Sequence, residues 1–388
     1  MTGQPLVDLS PLLQVMLVGV LLAFAALGWM WLRQKDSRKS GWLRPLTLLT
    51  LFLTFDLVVF GAFTRLTDSG LGCPDWPGCY GSASPFGAVV DITAAQSAMP
   101  SGPVTHGKAW VEMVHRYLAT GVGVLILVLA GANLRARFKG GVAELGTGIG
   151  WPLITLLWVC IQGAFGALTV TMKLFPAIVT LHLLGGLILL ALLGFQAERL
   201  GRLQSGRPQV LVNPATRALM LIASILLGVQ VALGGWVSTN YAVLACTDFP
   251  MCQNSWWPEM HFAQGFQIWR ELGLTQSGEH ITFAALTAIH FVHRCTAVAV
   301  VLALGLLAWR LRQIHGLRKQ SRWIAALLVT QVATGMANAV LGWPLAAALM
   351  HTGGAAALVL VLTWTIATSR SNQARASVSR PTVMDFSV

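Results

Sequence analysis

Glu112-Met-Val-His115-Arg116 returns later in the chain as His290-Phe-Val-His293-Arg294, and these two stretches decide how the rest is read. In each, ionisable side chains stand three and four residues apart, so they share one face of a helix. Apolar residues follow both stretches for several turns. Two apolar segments later each is followed by one more histidine in apolar company, His182 in the first case and His351 in the second. Charged or metal-ligating side chains inside a bilayer are costly, so they are read as functional by default.

The bulk composition agrees with a bilayer setting. Of the 388 residues 55% are hydrophobic and 10% charged, with mean hydropathy +0.68, whereas a soluble domain carries about 25% charged residues. An all-α polytopic membrane protein is expected, because helices satisfy their own backbone in lipid. The net charge of +12 does not call for nucleic acid, since 20 of the 26 Lys and Arg lie in or beside 33–44, 135–139, 199–217, 310–322 and 370–380. These segments alternate with stretches poor in basic residues, which marks them as cytoplasmic and the long cysteine-containing loops as outer.

Nine spans follow, at roughly 11–33, 45–66, 109–134, 151–171, 176–197, 216–238, 282–309, 323–342 and 345–368. The first is too long for a signal-peptide core, and its basic residues (Arg33, Lys35, Arg38, Lys39) follow rather than precede it. It therefore reads as an uncleaved helix with its N-terminus outside. Constant offsets reveal a duplication. Gly61, Cys73 and Cys79 recur after 173 residues as Gly234, Cys246 and Cys252; Glu112, His115 and Arg116 correspond after 178 to His290, His293 and Arg294; Gln162, Gly166 and His182 recur after 169 as Gln331, Gly335 and His351. The chain divides into an extra N-terminal helix and linker (1–42), a first four-helix unit (43–198), a linker (199–215), a second four-helix unit (216–369) and a disordered cytoplasmic tail (370–388). The two units are tandem, parallel repeats.

By helical rise, His115, His182, His293 and His351 all fall in the outer half of the bilayer. Two histidines from different helices of one unit can face each other across a bundle, which is how bundles hold a haem iron. A lone histidine in an apolar helix is often only hydrogen-bonded to a neighbour; four at equivalent places favour metal or haem ligation. Zinc is disfavoured, as no thiolate or carboxylate cluster shares their depth. Gly185-Gly186 and Gly353-Gly354 are expected to let a flat macrocycle approach the backbone.

Each outer loop has a Cys-x5-Cys pair, Cys73 with Cys79 and Cys246 with Cys252, read as a disulfide in an oxidising compartment or as neighbouring thiols. Cys160 and Cys295 lie in spans and are read as small buried apolar residues. Glu112 is the main asymmetry, because His290 takes its place in the second unit. A carboxyl there suits proton transfer at one site; alternatively it pairs with Arg116 one turn away. Arg65, Arg116 and Arg294 near outer helix ends either receive haem propionates or snorkel to the interface. Asp56 lies mid-span without an account, and His106, His261, His280 and His315 are read as solvent-exposed.

Gly61-Ala-Phe-Thr-Arg65-Leu-Thr-Asp-Ser-Gly-Leu-Gly-Cys73-Pro-Asp-Trp-Pro-Gly-Cys79, with Glu112-x-x-His115-Arg116, His293-Arg294, His182 and His351, resembles the haem A synthase family over roughly 43–368. The extra helix at 11–33 departs from that family's eight spans. The resemblance implies oxidation of the C8 methyl of haem O to a formyl group, giving haem A for terminal oxidases. It implies that His293 and His351 ligate a resident haem b, that His115 and His182 hold the substrate haem, and that Glu112 is the catalytic acid or base. Haem O synthase and an electron-transfer partner are the implied neighbours, in a bacterial-type inner membrane. Rival readings are a dihaem b-type electron carrier, with no need for Glu112, and a haem transporter. A prenyltransferase is disfavoured, as no pair of Asp-rich diphosphate motifs occurs.

Overall fold

The computed structural model describes residues 10–33, 42–138, 148 and 150–371. Among these, nine helices are long and apolar enough to cross a membrane, so the protein is an all-α polytopic membrane protein. They are α1 (Ser10–Arg33), α2 (Leu43–Leu66), α4 (His106–Phe138), α5 (Gly150–Thr171), α6 (Pro176–Ser205), α7 (Pro214–Thr239), α9 (Phe283–Arg312), α10 (Arg318–Val340) and α11 (Leu345–Thr368). Two shorter helices, α3 (Val89–Ala98) and α8 (Phe262–Gly265), lie in the two long loops. Of the segments expected at the ends and turns, Lys35, Arg38, Lys39, Lys139 and residues 372–388 lie outside the described residues.

Local chemistry sets these boundaries. Pro176 and Pro214 occupy first-turn positions of α6 and α7, where no backbone donor is lost. Asn213 accepts from Thr216 N and Thr282 from Ala285 N, each supplying a side-chain cap. Gly206, with φ +63°, closes α6 in the left-handed region. Inside α2, Thr47, Thr50 and Thr54 return their hydroxyls to carbonyls four residues back, so no hydroxyl is left bare in the apolar interior.

Helices α2, α4, α5 and α6 pack in a ring, each on the next, and α7, α9, α10 and α11 do the same except for a lighter closing contact of α11 on α7. The rings meet where α6 packs on α11, α2 on α11 and α7 on α6, contacts that map onto themselves when the repeats are exchanged. Helix α1 packs along α4, with no room for a side chain at Gly19 against Thr120 and Gly121. Its start reaches the first long loop: Pro11 lies beside Gly78, and Val15 joins Cys73, Cys79, Ile92 and Met113 in one buried cluster. At the opposite end β1 (Val210–Val212) pairs in parallel with β2 (Ser369–Ser371), tying the inter-unit connection to the end of α11.

Two expectations need correction. Cys160 and Cys295 are not buried; both are exposed on the outward faces of their helices, where a bilayer accepts an apolar thiol as readily as a protein core does. The paired glycines also have another purpose. A Cβ at Gly185 would collide with the Gln162 side chain, and one at Gly354 with that of Gln331. Gly186 and Gly353 instead face Val58 and Val59 of α2. These glycines admit a neighbouring side chain rather than a macrocycle.

Candidate functional site

The histidines come together in two pairs. His115 on α4 and His182 on α6 are close enough for their charges to interact, as are His293 on α9 and His351 on α11. In each ring the two helices are diagonal partners, so each pair spans a bundle interior.

Different glycines from those expected lie against the imidazoles. A Cβ at Gly61 would stand 3.0 Å from His115 Nε2, and one at Gly234 would stand 3.1 Å from His293 Cε1. Gly166 and Gly335 are related in the same way to His182 and His351, at 3.5 and 3.3 Å. The rings thus rest on bare backbone, from four positions equivalent by the repeat.

Surroundings distinguish the pairs. In the second, Thr334 Oγ1 is 3.0 Å from His351 Nδ1, and the Gln230 amide nitrogen is 3.1 Å from His293 Nδ1. Gln230 Oε1 is buried without a partner. The amide nitrogen of Gln230 also lies 3.3 Å from His293 Nε2 and donates to the His293 carbonyl oxygen at 3.2 Å, so Gln230 is held against both ring nitrogens. In the first pair His182 Nδ1 is buried and unpartnered, and no ring nitrogen of His115 is hydrogen-bonded among the described residues. By offset, Leu57 and Phe165 stand where the second unit has Gln230 and Thr334. Gln230 and Thr334 were not singled out from the sequence; that mismatch was the available signal.

Glu112 is 4% exposed. Its carboxylate accepts from Cys73 N at 2.8 Å and forms an ion pair with Arg116. Arg116 Nη1 also donates to the carbonyls of Asp75, Pro77 and Gly78, at 3.0, 3.2 and 2.5 Å. Arg294 repeats this in the second unit, reaching Asp248 O, Met251 O and Cys246 O, with His290 in the place of Glu112. Both arginines therefore hold their long loop onto the bundle. Arg65 donates to Asp68 and to Ser238 O, and its guanidinium lies 4.2 Å from the Tyr241 ring centroid.

The loops are also stapled covalently, with Sγ–Sγ distances of 2.12 Å for Cys73–Cys79 and 1.96 Å for Cys246–Cys252. Asp75 caps the first staple by accepting from Tyr80 N and Gly81 N, and Asp248 accepts from Asn254 N in the second. Of the other histidines, His261, His280 and His315 are exposed, whereas His106 starts α4 half-buried beside Thr93.

No group of three or more His, Cys, Asp or Glu able to hold a bare metal ion occurs among the described residues. Paired imidazoles from opposite helices of a ring, with buried unpartnered His182 Nδ1 and Gln230 Oε1 beside them, fit a macrocycle that brings its own four nitrogens and would need only two ligands from the protein.

A family model described as cytochrome oxidase assembly protein, COX15-CtaA, matches residues 44–363. The chain is 39% identical over 323 residues to a protein named Heme A synthase from Shewanella oneidensis, covering 81% of this chain and 92% of that one. Proteins of the same name from Rhizorhabdus wittichii and Halalkalibacterium halodurans are 28% and 24% identical, over 85% and 75% of this chain and 93% and 85% of their own lengths.

Proposed function

The chain belongs to the COX15-CtaA family of cytochrome oxidase assembly proteins, and on that premise we propose how its two units divide the work. The protein is a membrane-bound oxidoreductase that acts on haem O, converting the C8 methyl to the formyl group of haem A. The rival readings as electron carrier and haem transporter are not favoured by this membership.

In the proposed division, residues 43–198 form the catalytic unit, where His115 and His182 hold the substrate haem. Residues 216–369 form the proposed resident-haem unit, where His293 and His351 would hold a haem b. Haem b bound there would supply one-electron transfer. What supports the assignment is the difference between the pairs. Gln230 and Thr334 lie within hydrogen-bond distance of ring nitrogens of the second pair, which orients both rings as a resident ligand set needs. The first pair lacks such partners, which suits a group that must enter and leave.

Glu112 is the proposed acid or base, accepting protons released at the substrate methyl and passing them outward. It is buried one turn from His115 on the same helix. Arg116 stabilises its carboxylate form and fixes its position. Of the three arginines considered for propionates, the role is kept for Arg65. Its partner Asp68 is 54% exposed in the side chain and can give way to another carboxylate. We place the cysteine loops on the outer face of a bacterial inner membrane and the end of α11 on the cytoplasmic side, from the distribution of Lys and Arg. Haem O synthase is the proposed supplier, and a separate electron-transfer partner accepts the reducing equivalents.

The test is to express the chain with a haem O synthase in a host that makes no haem A, then extract and identify the haems. Haem A or its hydroxymethyl intermediate, appearing only with the intact chain, is the expected result. Unaltered haem O with haem bound to the protein would overturn it.

A further inference from the structure

Asp56 is a carboxylate in the middle of a spanning helix, exposed, and among the described residues it has no hydrogen bond or ion pair. It lies roughly 20 Å along α2 from Leu43, deep in any bilayer the helix crosses. An ionisable side chain at such depth is retained at a cost unless something polar meets it.

Around it is a groove of about 420 Å³ lined by Phe55, Asp56, Val59, Phe60 and Phe63 of α2 and by Leu349 of α11. The α2 residues share one helix face, and α11 belongs to the other ring, so the groove runs along the seam between units. It also adjoins the first histidine pair. Phe60 stacks on His115 with centroids 6.3 Å apart and planes 16° apart, and the next residue, Gly61, is the one beneath His115 Nε2.

The sequence of the second unit does not repeat these residues. Offset by the repeat, Asp56 corresponds to Val229, and Phe55, Val59 and Phe60 correspond to Gly228, Ala232 and Leu233. Asp56 and Glu112 are therefore both carboxyls of the first unit that the repeat does not carry into the second.

We propose that this groove receives the isoprenoid side chain of the substrate haem and that Asp56 hydrogen-bonds the hydroxyl that chain carries. The inference rests on the assignment of haem O to the first unit. Haem O differs from haem b by one substituent, a hydroxyethylfarnesyl group in place of a vinyl: a long apolar chain with a single hydroxyl near the ring. An aromatic and aliphatic groove with one carboxyl matches that chemistry feature for feature. Five residues separate Asp56 from Gly61, about 7.5 Å along the axis, which is on the scale of a porphyrin's reach from its iron to a first substituent. The carboxyl bonds a hydroxyl in either protonation state, as acceptor when ionised and as donor when protonated. Asp56 then selects haem O over haem b, and the open side of the groove leaves the rest of the tail in lipid.

The test uses the full chain in lipid nanodiscs with its second site loaded. The first site is titrated with haem O and, separately, with haem b, followed by Soret absorbance, for the wild type, Asp56→Leu and Asp56→Asn. Expected is a wild-type preference for haem O that Asp56→Leu reduces by about fivefold to tenfold, with haem b affinity unchanged and most of the preference retained in Asp56→Asn. Retained second-site haem shows that each variant is folded. An unchanged preference in Asp56→Leu, or equal losses for both haems, overturns the proposal. So does an Asp56-dependent affinity for a quinone analogue with haem O binding unaffected. A wild type that neither binds nor converts haem O overturns the underlying assignment instead, and that control is read separately.

Discussion

Arg65 Nη2 donates to the backbone oxygen of Ser238 at 2.6 Å, and Ser238 occupies the place of Arg65 in the second repeat. The same holds next door: Tyr241, the counterpart of Asp68, donates its hydroxyl to Asp68 at 2.7 Å. Equivalent positions that touch each other must lie beside the pseudo-twofold axis. One side has become cationic and the other aromatic, so the pair is complementary where two identical repeats would have met like with like. Replacing Arg65 by Ala removes the bond to Ser238 and the guanidinium–ring contact together. A loss of about 1–2 kcal/mol in inter-unit stability is expected, seen as an earlier loss of the Soret band on heating in detergent. Arg65→Lys should fall between the two.

The glycines beneath the histidines give a sharper test of which ring holds which haem. A Cβ at Gly61 would press on Nε2 of His115, one of the two residues proposed to hold the substrate haem. Gly61→Val should therefore abolish haem O binding while the second-unit haem remains. Gly234→Val, which crowds His293, should lose the resident haem first. Haem content by pyridine haemochrome, with the two haems separated by chromatography, distinguishes these outcomes.

Much of this was legible in the sequence because bilayer constraints are coarse and periodic. Span positions, the repeat offsets and the four histidines needed only hydropathy and subtraction, and the helices match the expected spans with α4, α6, α9 and α10 running further at their basic ends. What remained hidden depended on rotation about a helix axis, which a repeat in sequence does not specify. Gly185 and Gly354 were legible as small residues near a histidine, yet one turn of orientation gives them to Gln162 and Gln331. Cys160 and Cys295 failed for a related reason, since in lipid an apolar side chain may face outward without penalty. The carbonyls gathered by Arg116 and Arg294 come from a non-helical loop, where no pattern announces which backbone atoms turn inward.

Thr334 and Gln230 should matter to the resident haem and not to the substrate. Partners of this type on a ligating histidine are worth about tenfold to a hundredfold in ligand affinity. Thr334→Val and Gln230→Leu, which copy the apolar character of the first unit, should weaken haem b retention by that order and shift its reduction potential. Redox titration of the purified protein would show the shift. An unchanged potential in both variants would remove the argument for a resident site in the second unit.

Glu112 carries two tasks that one substitution cannot separate. Its carboxylate accepts from Cys73 N and pairs with Arg116, so it holds the disulfide loop whether or not it moves protons. Glu112→Ala leaves the Arg116 guanidinium buried without its counter-charge, at a cost of about 3–5 kcal/mol, and lost activity there proves little. Glu112→Gln is the informative change. It also removes the counter-charge of Arg116, but its amide oxygen can still accept from Cys73 N or from Arg116. It thus fills the space and keeps one of the two contacts while being unable to take up a proton at neutral pH. The expected outcome is a folded protein with normal second-unit haem and intact haem O binding, yet no haem A or hydroxymethyl intermediate among the extracted haems. Full activity in Glu112→Gln, alongside a destabilised Glu112→Ala, would make Glu112 a loop anchor and leave the proton path to be sought elsewhere.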